Sequence, residues 1–272
     1  MRLGIVGDGR AARTLAPLLE EAGHELVWRW SRRGGASLAT LPPVDVALLA
    51  VSDGAIAEVA ETLSQRPSAS QEIWLHLSGA LPSCVARCDS QRPLAVGTMH
   101  PMVALPGAEA PAELLRGATC GIAGDAAARA AARALGTQLQ MAVVEISDED
   151  RSLYHAAAVS VAGHATALLA QATEMLKRVG FGEPDARRAL AKLMRTALLN
   201  LDGGTPETQI TGPVARGDAR TVELHLEALG GALPDALPGY LALAQASLEI
   251  SRPRLSPEVA REIEEVLKRF TP

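Results

Sequence analysis

A glycine-rich turn near the start of the chain has the residue types and spacing of a phosphate-binding loop. Six residues follow the apolar run Arg2–Val6 and open a helical pattern: Gly7, Asp8, Gly9, Arg10, Ala11 and Ala12. Gly7 allows a tight turn, Gly9 lets a pyrophosphate approach the backbone, and Ala12 is small enough for the helix to lie against the strand. The free N–H groups of the helix N-terminus then attract the phosphates. The pattern predicts dinucleotide binding, and the alternative is a tight turn with no ligand.

The end of the second apolar run, Glu25–Trp30, distinguishes between the two nicotinamide dinucleotides. NAD-binding proteins usually carry an acidic residue there, which holds the ribose 2′-hydroxyl group. This chain has Ser31, Arg32 and Arg33 instead. One hydroxyl and two guanidinium groups suit a 2′-phosphate, which arginine can bind through two parallel hydrogen bonds. We therefore expect NADP(H) as the cofactor, and the alternative is a solvated basic turn.

Small and polar residues also follow two later apolar runs. In open α/β sheets, ligands bind outside the carboxyl ends of the strands. The expected cofactor contacts at this edge are Val51, Ser52, Asp53, Ser78 and Gly79. Ser52 can instead cap a following helix. Gly79 would let the chain pass close to a nicotinamide ring.

Two histidines are the best candidates for proton transfer, because the unperturbed pKa of histidine lies near neutrality. His100 ends an apolar run, and His155 lies early in a long helical pattern. Their alternative roles are a hydrogen bond to the turn before Pro101 and helix packing, respectively. Arg216, in a loop with glycines, is a candidate carboxylate clamp. Asn200 is a candidate for a hydrogen bond to the substrate, or it simply ends its helix.

The elements that must position these residues alternate between strands and helices in the first half of the chain. Further strands are expected at Val44–Val51, Glu72–Leu77, Leu94–Met99, Thr119–Ile122 and Met141–Ile146. Such alternation predicts a mostly parallel, doubly wound sheet. Beyond Ser147 the pattern is helical throughout. We therefore predict a Rossmann domain that binds NADP over residues 1–147 and an all-α substrate domain over residues 148–272.

The charge, aromatic content and hydropathy of the chain limit the kinds of partner and the cellular location that we expect. The formal net charge of −5 and an aromatic content of 3% argue against binding of nucleic acid, which needs basic and stacking surfaces. No apolar run reaches membrane-spanning length, and no charged leader precedes the first strand, so we expect a cytoplasmic protein without a membrane partner. The three cysteines, Cys84, Cys88 and Cys120, predict neither a disulfide framework nor a metal site.

Several motifs together resemble a known family. They occur in this order: Gly7-Asp8-Gly9, Val51-Ser52-Asp53, His76-Leu77-Ser78-Gly79, His100-Pro101, Tyr154-His155-Ala156-Ala157-Ala158, and Thr211-Gly212-Pro213-Val214-Ala215-Arg216-Gly217-Asp218. The sequence resembles bacterial Rossmann-like proteins whose helical C-terminal domain has no assigned function, within the 6-phosphogluconate-dehydrogenase-like group. The family is similar in plan to ketopantoate reductase, pyrroline-5-carboxylate reductase and prephenate dehydrogenase. The resemblance implies a homodimer formed through the helical domain and an NADP-linked reductase activity.

These observations support two hypotheses of different classes. The first is an NADP-dependent oxidoreductase that transfers a hydride between NADP(H) and a small oxo or imino compound bearing a carboxylate. Arg216 would bind the substrate, and His100 or His155 would transfer the proton. The second is a non-catalytic NADP-binding sensor or scaffold protein, because the sequence shows no obvious catalytic lysine or fixed acid–base pair.

Overall fold

A seven-stranded sheet is the main structural feature of the first half of the chain. The computed structural model describes residues 1–34, 37–88, 95–105, 111 and 114–271, and within these ranges seven strands pair in the order β2-β1-β3-β4-β5-β6-β7. They are β1 (Arg2–Val6), β2 (Glu25–Trp30), β3 (Val46–Leu49), β4 (Ile73–His76), β5 (Ala95–Pro101), β6 (Thr119–Gly124) and β7 (Ala142–Glu145). Every pairing is parallel except that of β5 with β6.

The sheet is covered on both faces by the helices α1 (Arg10–Glu21), α2 (Ile56–Ser64) and α3 (Ala126–Gln138), and α4 (Arg151–Val161) follows β7. Residues of α1 and α3 share one hydrophobic cluster with the sheet, and residues of α2 belong to a second cluster. The central strand β3 is buried along its whole length, as its unbroken apolar sequence requires. The predicted doubly wound sheet is thus confirmed; residue 94, where β5 was expected to begin, lies outside the described residues.

The second half of the chain is helical, as the sequence predicts. Its helices are α5 (Gly163–Arg178), α6 (Glu183–Leu201), α7 (Pro206–Gln209), α8 (Pro213–Arg216), α9 (Ala219–Ala232), α10 (Leu237–Ser251) and α11 (Pro257–Phe270). Val222, Leu226, Leu248 and Ile263 lie at the centre of a separate core formed by α9, α10 and α11.

The chain divides into two compact units, Met1–Ala162 and Gly163–Pro272. The strands end close to Ser147, where the sequence placed the change of structural class, but α4 belongs to the unit that contains the sheet. The reason is its first residue: Arg151 is fully buried and donates hydrogen bonds to the loop that follows β4.

One helical stretch has the length and composition of a membrane span. Arg151–Arg178 runs for 28 residues with a mean hydropathy of 1.3 in its most apolar window, none of which is buried. The expectation that no apolar stretch reaches this length was wrong. Isolated polar residues interrupt the runs of alanine and leucine in this stretch. Its apolar character therefore becomes evident only when hydropathy is averaged over a window of membrane-spanning length. The stretch is thus long and apolar enough to cross a membrane, as judged by its length and composition alone.

A buried ion pair in the segment between α2 and β4 holds that segment against the loop before β3. Arg66 and Glu72 are each 1% exposed, and both guanidinium Nη atoms donate to the carboxylate at 3.0 and 2.9 Å. Glu72 also accepts a hydrogen bond from the backbone N–H of Val44 at 3.1 Å, while Arg66 donates to the Pro42 carbonyl at 2.6 Å. The Arg66 guanidinium lies 5.4 Å from the ring centroid of Trp28. The pair therefore fixes the position of the loop through several partners at once.

Replacing Glu72 with alanine should destabilise the protein strongly, because the guanidinium of Arg66 would stay buried without its counter-charge. We expect a loss of about 3–5 kcal/mol in the free energy of unfolding, measured by urea denaturation. The matched control is Glu25→Ala, which removes the exposed Arg2–Glu25 pair of 3.7 Å and should cost no more than about 1 kcal/mol. Equal losses in the two variants would contradict the structural role of the buried pair.

Candidate functional site

The two glycines of the N-terminal turn differ in what surrounds them. Gly7 has φ +127°, and a Cβ there would lie 2.2 Å from the carbonyl oxygen of Ala50, so the fold itself requires glycine. Gly9 caps α1 in an extended conformation, and a Cβ there would meet no atom within 4 Å. The open space above Gly9 lies at the helix N-terminus, where free N–H groups attract anions.

A cavity of about 290 Å³ gathers seven of the predicted cofactor residues. They are Gly7, Asp8, Gly9, Ser31, Arg32, Val51 and Ser52. Arg33 is not part of the lining, but its charge helps to lower the pKa of Asp8. The carboxyl ends of β1, β2 and β3 thus meet around a single space, as parallel pairing requires.

The charged residues around this cavity are partly paired with each other. Asp8 accepts a hydrogen bond from Arg13 at 2.9 Å and lies 3.9 Å from Arg29, and the pKa of its carboxyl is lowered chiefly by Arg13. Arg32 donates to Glu58 at 3.1 Å, with both side chains exposed. The sequence analysis missed Arg13, Arg29 and Glu58. No helical spacing indicated the pair of Asp8 and Arg13, because the two residues are five positions apart and Asp8 precedes α1.

A second cavity, of about 510 Å³, lies beside the first turn of α1. Its lining includes Arg10 and Ala11 from the glycine turn and its helix, together with Leu77, His100 and Pro101 from the ends of β4 and β5. Val103, Ala104 and Leu105 complete it. The predicted phosphate-binding turn and the predicted catalytic His100 therefore face the same space. Of the other predicted residues at this edge, Asp53 accepts a hydrogen bond from the Ser78 hydroxyl at 3.0 Å, which ties the ends of β3 and β4 together.

Both candidate histidines pack against Gly79. A Cβ on Gly79 would lie 2.4 Å from Nδ1 of His155 and 2.7 Å from Nε2 of His100, so only glycine allows the two rings their positions. The ring centroids are 5.5 Å apart and the planes are nearly perpendicular. Nδ1 of His100 is hydrogen-bonded to the hydroxyl group of Tyr154 at 3.0 Å. Residues far apart in the sequence thus form one polar cluster at the ends of β4 and β5.

Arg151 holds this cluster together, and the sequence analysis missed it. Its Nε donates to the carbonyl of Leu81 at 2.8 Å and one Nη donates to that of Ser78 at 2.5 Å. Arg151 therefore clamps both sides of Gly79. Helical spacing was the available signal, because residues three and four positions after Arg151 share its face of α4, and these are Tyr154 and His155.

Burial and neighbouring charges keep His100 neutral at pH 7. Its pKa is lowered to about 4, chiefly by desolvation and also by the charges of His155 and Arg151, while Asp53 opposes them. Burial also raises the pKa of Tyr154, which keeps its hydroxyl protonated. At neutral pH the cluster therefore contains a neutral imidazole and a neutral phenol, both able to donate and accept hydrogen bonds.

The two predicted residues of the helical unit are both exposed. Arg216 ends α8, immediately before Gly217 with φ +78°, and Asn200 lies in the last turn of α6. Asp218 caps α9 by accepting a hydrogen bond from the backbone N–H of Thr221 at 3.0 Å.

Comparison with known families locates a defined domain in this chain. Residues 118–247 match the family model DUF2520, described as a domain of unknown function. The match begins at β6 and ends in α10, and it includes Tyr154, His155, Asn200 and Arg216. The expected resemblance to Rossmann-like proteins with a helical domain of unknown function is confirmed.

Solved structures share the whole plan of the chain. Protein BF3122 of Bacteroides fragilis, provisionally named an NADP oxidoreductase, is similar over 92% of this chain and 98% of its own, with a TM-score of 0.75 and 20% identity. Pyrroline carboxylate reductase of Plasmodium falciparum, solved with NADP bound, is similar over 99% of this chain and 97% of its own, with a TM-score of 0.57 and 12% identity. These likenesses confirm the two-part fold.

A curated relative is similar over part of its length. Glycerol-3-phosphate dehydrogenase [NAD(P)+] of Synechococcus elongatus is 33% identical over 114 residues, which are 42% of this chain and 37% of that protein. The chain therefore matches just over a third of that enzyme. The names of all three relatives agree with the expectation of an enzyme that uses a nicotinamide cofactor.

The lowered pKa of His100 should make stability fall in mild acid. The unfolded chain binds a proton on this histidine near pH 6.5, whereas the folded chain binds it only near pH 4, so the contribution is fully present above pH 6.5 and is lost as the pH falls toward 4. His100→Asn should make the dependence of unfolding free energy on pH shallower in this range, by up to about 1.4 kcal/mol per pH unit. Urea denaturation at several pH values measures the slope.

The matched control for this prediction is His225→Asn, in an exposed residue of the helical unit, which should leave the slope as in the wild type. His24 and His76, whose pKa values are also lowered by burial, contribute the acid dependence that remains. An unchanged slope in the His100 variant would show that His100 is not held neutral by the fold.

Proposed function

We propose that the protein is an NADP-dependent oxidoreductase. The observation that carries the proposal is the pair of cavities on the two sides of one glycine turn. One cavity contains the serine and arginine expected to bind a 2′-phosphate, and the other contains His100. A dinucleotide needs a site for each of its halves, with its pyrophosphate at the helix N-terminus between them.

The residues present suit this cofactor. Gly9 leaves its space open at the N-terminus of α1, so a pyrophosphate can approach the backbone closely. The 2′-phosphate would be held by Ser31, Arg32 and Arg33. The part of the dinucleotide between its adenosine and nicotinamide halves would lie along Val51, Ser52 and Asp53. The nicotinamide half would contact Ser78 and Gly79, together with Arg10, Ala11 and Leu77. When bound, NADPH would supply a hydride to the carbon of a C=O or C=N group.

The chain's own residues would provide orientation and a proton. His100 faces the larger cavity and is therefore the better candidate for donating a proton to the substrate, while His155 stands beside it across Gly79. Arg216 would bind a carboxylate of the substrate, with Asn200 as a further hydrogen-bonding group of the helical unit. The substrate class is thus a small oxo or imino compound that bears a carboxylate, in keeping with the names of the reductase and dehydrogenase relatives.

We also propose that two copies associate through α5 and α6. Within the described residues of these helices, only Thr173 and Ala186 are buried. Apolar side chains stay exposed on several sides of α6, among them Leu193 at 64%, Leu198 at 57% and Leu199 at 65%. A group of large apolar side chains exposed together marks an interaction surface. A second copy presents the same surface and can cover it by two-fold symmetry.

We also propose that the protein is located in the cytoplasm. There the surface of α5 and α6 would be covered by protein and not by lipid or nucleic acid.

Cofactor binding gives the first test of the proposed activity. Titration calorimetry should show tighter binding of NADPH than of NADH, and a panel of 2-oxo acids and cyclic imines should then reveal a compound that oxidises bound NADPH. Gly9→Ala should weaken NADPH binding at least about tenfold, equivalent to about 1.4 kcal/mol, because the added methyl group occupies the space expected for the pyrophosphate.

Gly9→Ala is informative because its Cβ meets no protein atom, so thermal stability should be retained. Gly230→Ala, equally free of neighbours but in α9, is the matched control and should bind NADPH as the wild type does. Tight NADPH binding with no turnover of any compound would favour the sensor alternative. Failure to bind either dinucleotide would refute the proposed function.

Association of two copies can be tested separately. The double variant Leu193→Glu and Leu198→Glu should convert a dimer into a monomer at micromolar concentration, as measured by sedimentation velocity, because two buried charges would repel their symmetry mates. Leu243→Glu, at an exposed leucine of α10, should stay dimeric. A wild-type protein that is monomeric, or one that partitions into detergent, contradicts the proposed surface.

A further inference from the structure

We propose that His100 and Tyr154 form a proton relay. Nε2 of neutral His100 donates a proton to the substrate, and the hydroxyl group of Tyr154 replaces it at Nδ1, with Arg151 as the positioning residue. This inference rests on the proposed function, since it describes how the reductase would protonate its product.

The hydrogen bonds of Tyr154 set the direction of the relay. Its hydroxyl lies 3.0 Å from Nδ1 of His100 and 3.4 Å from the His100 carbonyl oxygen. Nδ1 is the nearer of these two acceptors, so the relay places the phenol proton there. A neutral imidazole that accepts at Nδ1 carries its own proton on Nε2.

Only His100 of this pair reaches the cavity. His100 belongs to the cavity lining, whereas Tyr154 does not. The phenol lies behind the imidazole against β6, where a Cβ on Gly121 would lie 2.7 Å from the Tyr154 oxygen. Gly121 is the residue of β6 that pairs with His100. Tyr154 therefore acts on a substrate only through the imidazole, which makes His100 the catalytic residue and Tyr154 a positioning residue with an exchangeable proton.

The charges that face the pair favour a neutral imidazole over an imidazolium. His155 and Arg151 from α4 disfavour protonation of His100, and Asp53 at the end of β3 favours it more weakly. Arg151 is fully buried, and its charge favours a phenolate at Tyr154. One Nη of Arg151 is buried without a hydrogen-bond partner in the described part of the chain. A fixed cation beside Tyr154 therefore offsets negative charge as the phenol loses its proton.

The proton steps balance with a hydride from bound NADPH and one proton from solvent. As the substrate carbon is reduced, its oxygen or nitrogen forms a bond to the proton of His100 Nε2, and the Nε2–H bond breaks. Nδ1 of His100 gains the proton of Tyr154, whose O–H bond breaks to leave a phenolate. Water then returns one proton to Nε2 while the Nδ1 proton returns to the phenolate. One complete cycle consumes one solvent proton for each substrate molecule reduced. No step requires His100 to become an imidazolium.

The tautomer of His100 can be measured without any cofactor or substrate. Nitrogen-15 NMR of the histidine-labelled protein should show His100 neutral, with its proton on Nε2, from about pH 5 to about pH 9. Assignment comes from His100→Asn. In Tyr154→Phe the Nδ1 resonance should shift toward that of an imidazole nitrogen without a donor. A proton on Nδ1 of His100 in the wild type would overturn the relay and leave the proposed function intact.

Kinetics supply the second readout. With a substrate identified, Tyr154→Phe should keep the Kd for NADPH and lower kcat about a hundredfold, within the usual range for lost proton-transfer catalysis. The wild-type kcat should stay level from about pH 6 to about pH 8, whereas an imidazolium donor would lose rate as the pH rises. Tyr240→Phe is the matched control, because its hydroxyl binds Nδ1 of His225 at 2.7 Å in the same edge-on arrangement within the helical unit.

The outcomes separate the relay from the function that it serves. Full activity in Tyr154→Phe, with tight NADPH binding, would overturn the relay alone. A lowered kcat in both tyrosine variants would also overturn it, since the hydroxyl group of Tyr240 is bonded to a different histidine, His225. Absence of NADPH binding in the wild type would overturn both proposals. A lowered kcat in Tyr154→Phe alone, with the expected tautomer, supports the relay.

Discussion

The polar cluster at the edge of the sheet depends on one buried cation. Arg151 begins α4 and donates to the carbonyl oxygens of Ser78 and Leu81, on both sides of Gly79. Backbone carbonyls accept these hydrogen bonds at fixed positions, so the helix cannot slide along the sheet without leaving a buried charge unsatisfied. Such a charge is far more costly than a lost apolar contact. Tyr154 and His155 follow within one turn of α4, and their positions against His100 and Gly79 are set by the same clamp.

The cofactor side of the site is held by different forces. There the residues come from strand ends that parallel pairing brings together, and their charges are exposed and shared among several partners. Asp8 is paired with Arg13 and Arg29, and Arg32 is paired with Glu58. Exposed pairs of this kind contribute little to stability and exchange partners readily. The buried cluster of His100, Tyr154 and Arg151 thus adjoins a charged surface that can rearrange around an anionic ligand.

Local patterns in the sequence were sufficient for the sheet and for the glycine turn. Strand, turn and helix follow each other within a few residues there, so Gly7, Gly9 and Ala12 could be assigned from spacing alone. The sequence also contained both histidines of the cluster, but it did not show that they meet. Contacts such as Arg151 with Ser78 join residues that are 73 positions apart, and no periodicity encodes them. The same holds for α4, which its composition assigns to the helical half although its packing belongs to the sheet. The exposure of the leucines on α6 could not be predicted from the sequence either. A helix has the same pattern of apolar residues whether its own chain or another chain covers it.

The antiparallel pairing of β5 with β6 places Gly121 directly opposite His100, and the Tyr154 phenol fills the space that a side chain at position 121 would occupy. The volumes of residues 121 and 154 are therefore linked. Among relatives that keep this strand order, a larger residue at the position of Gly121 has room only if the position of Tyr154 becomes smaller, and the phenol is lost with it. The two positions should consequently covary across the family as one unit, and glycine at the first would mark the sequences that retain the tyrosine.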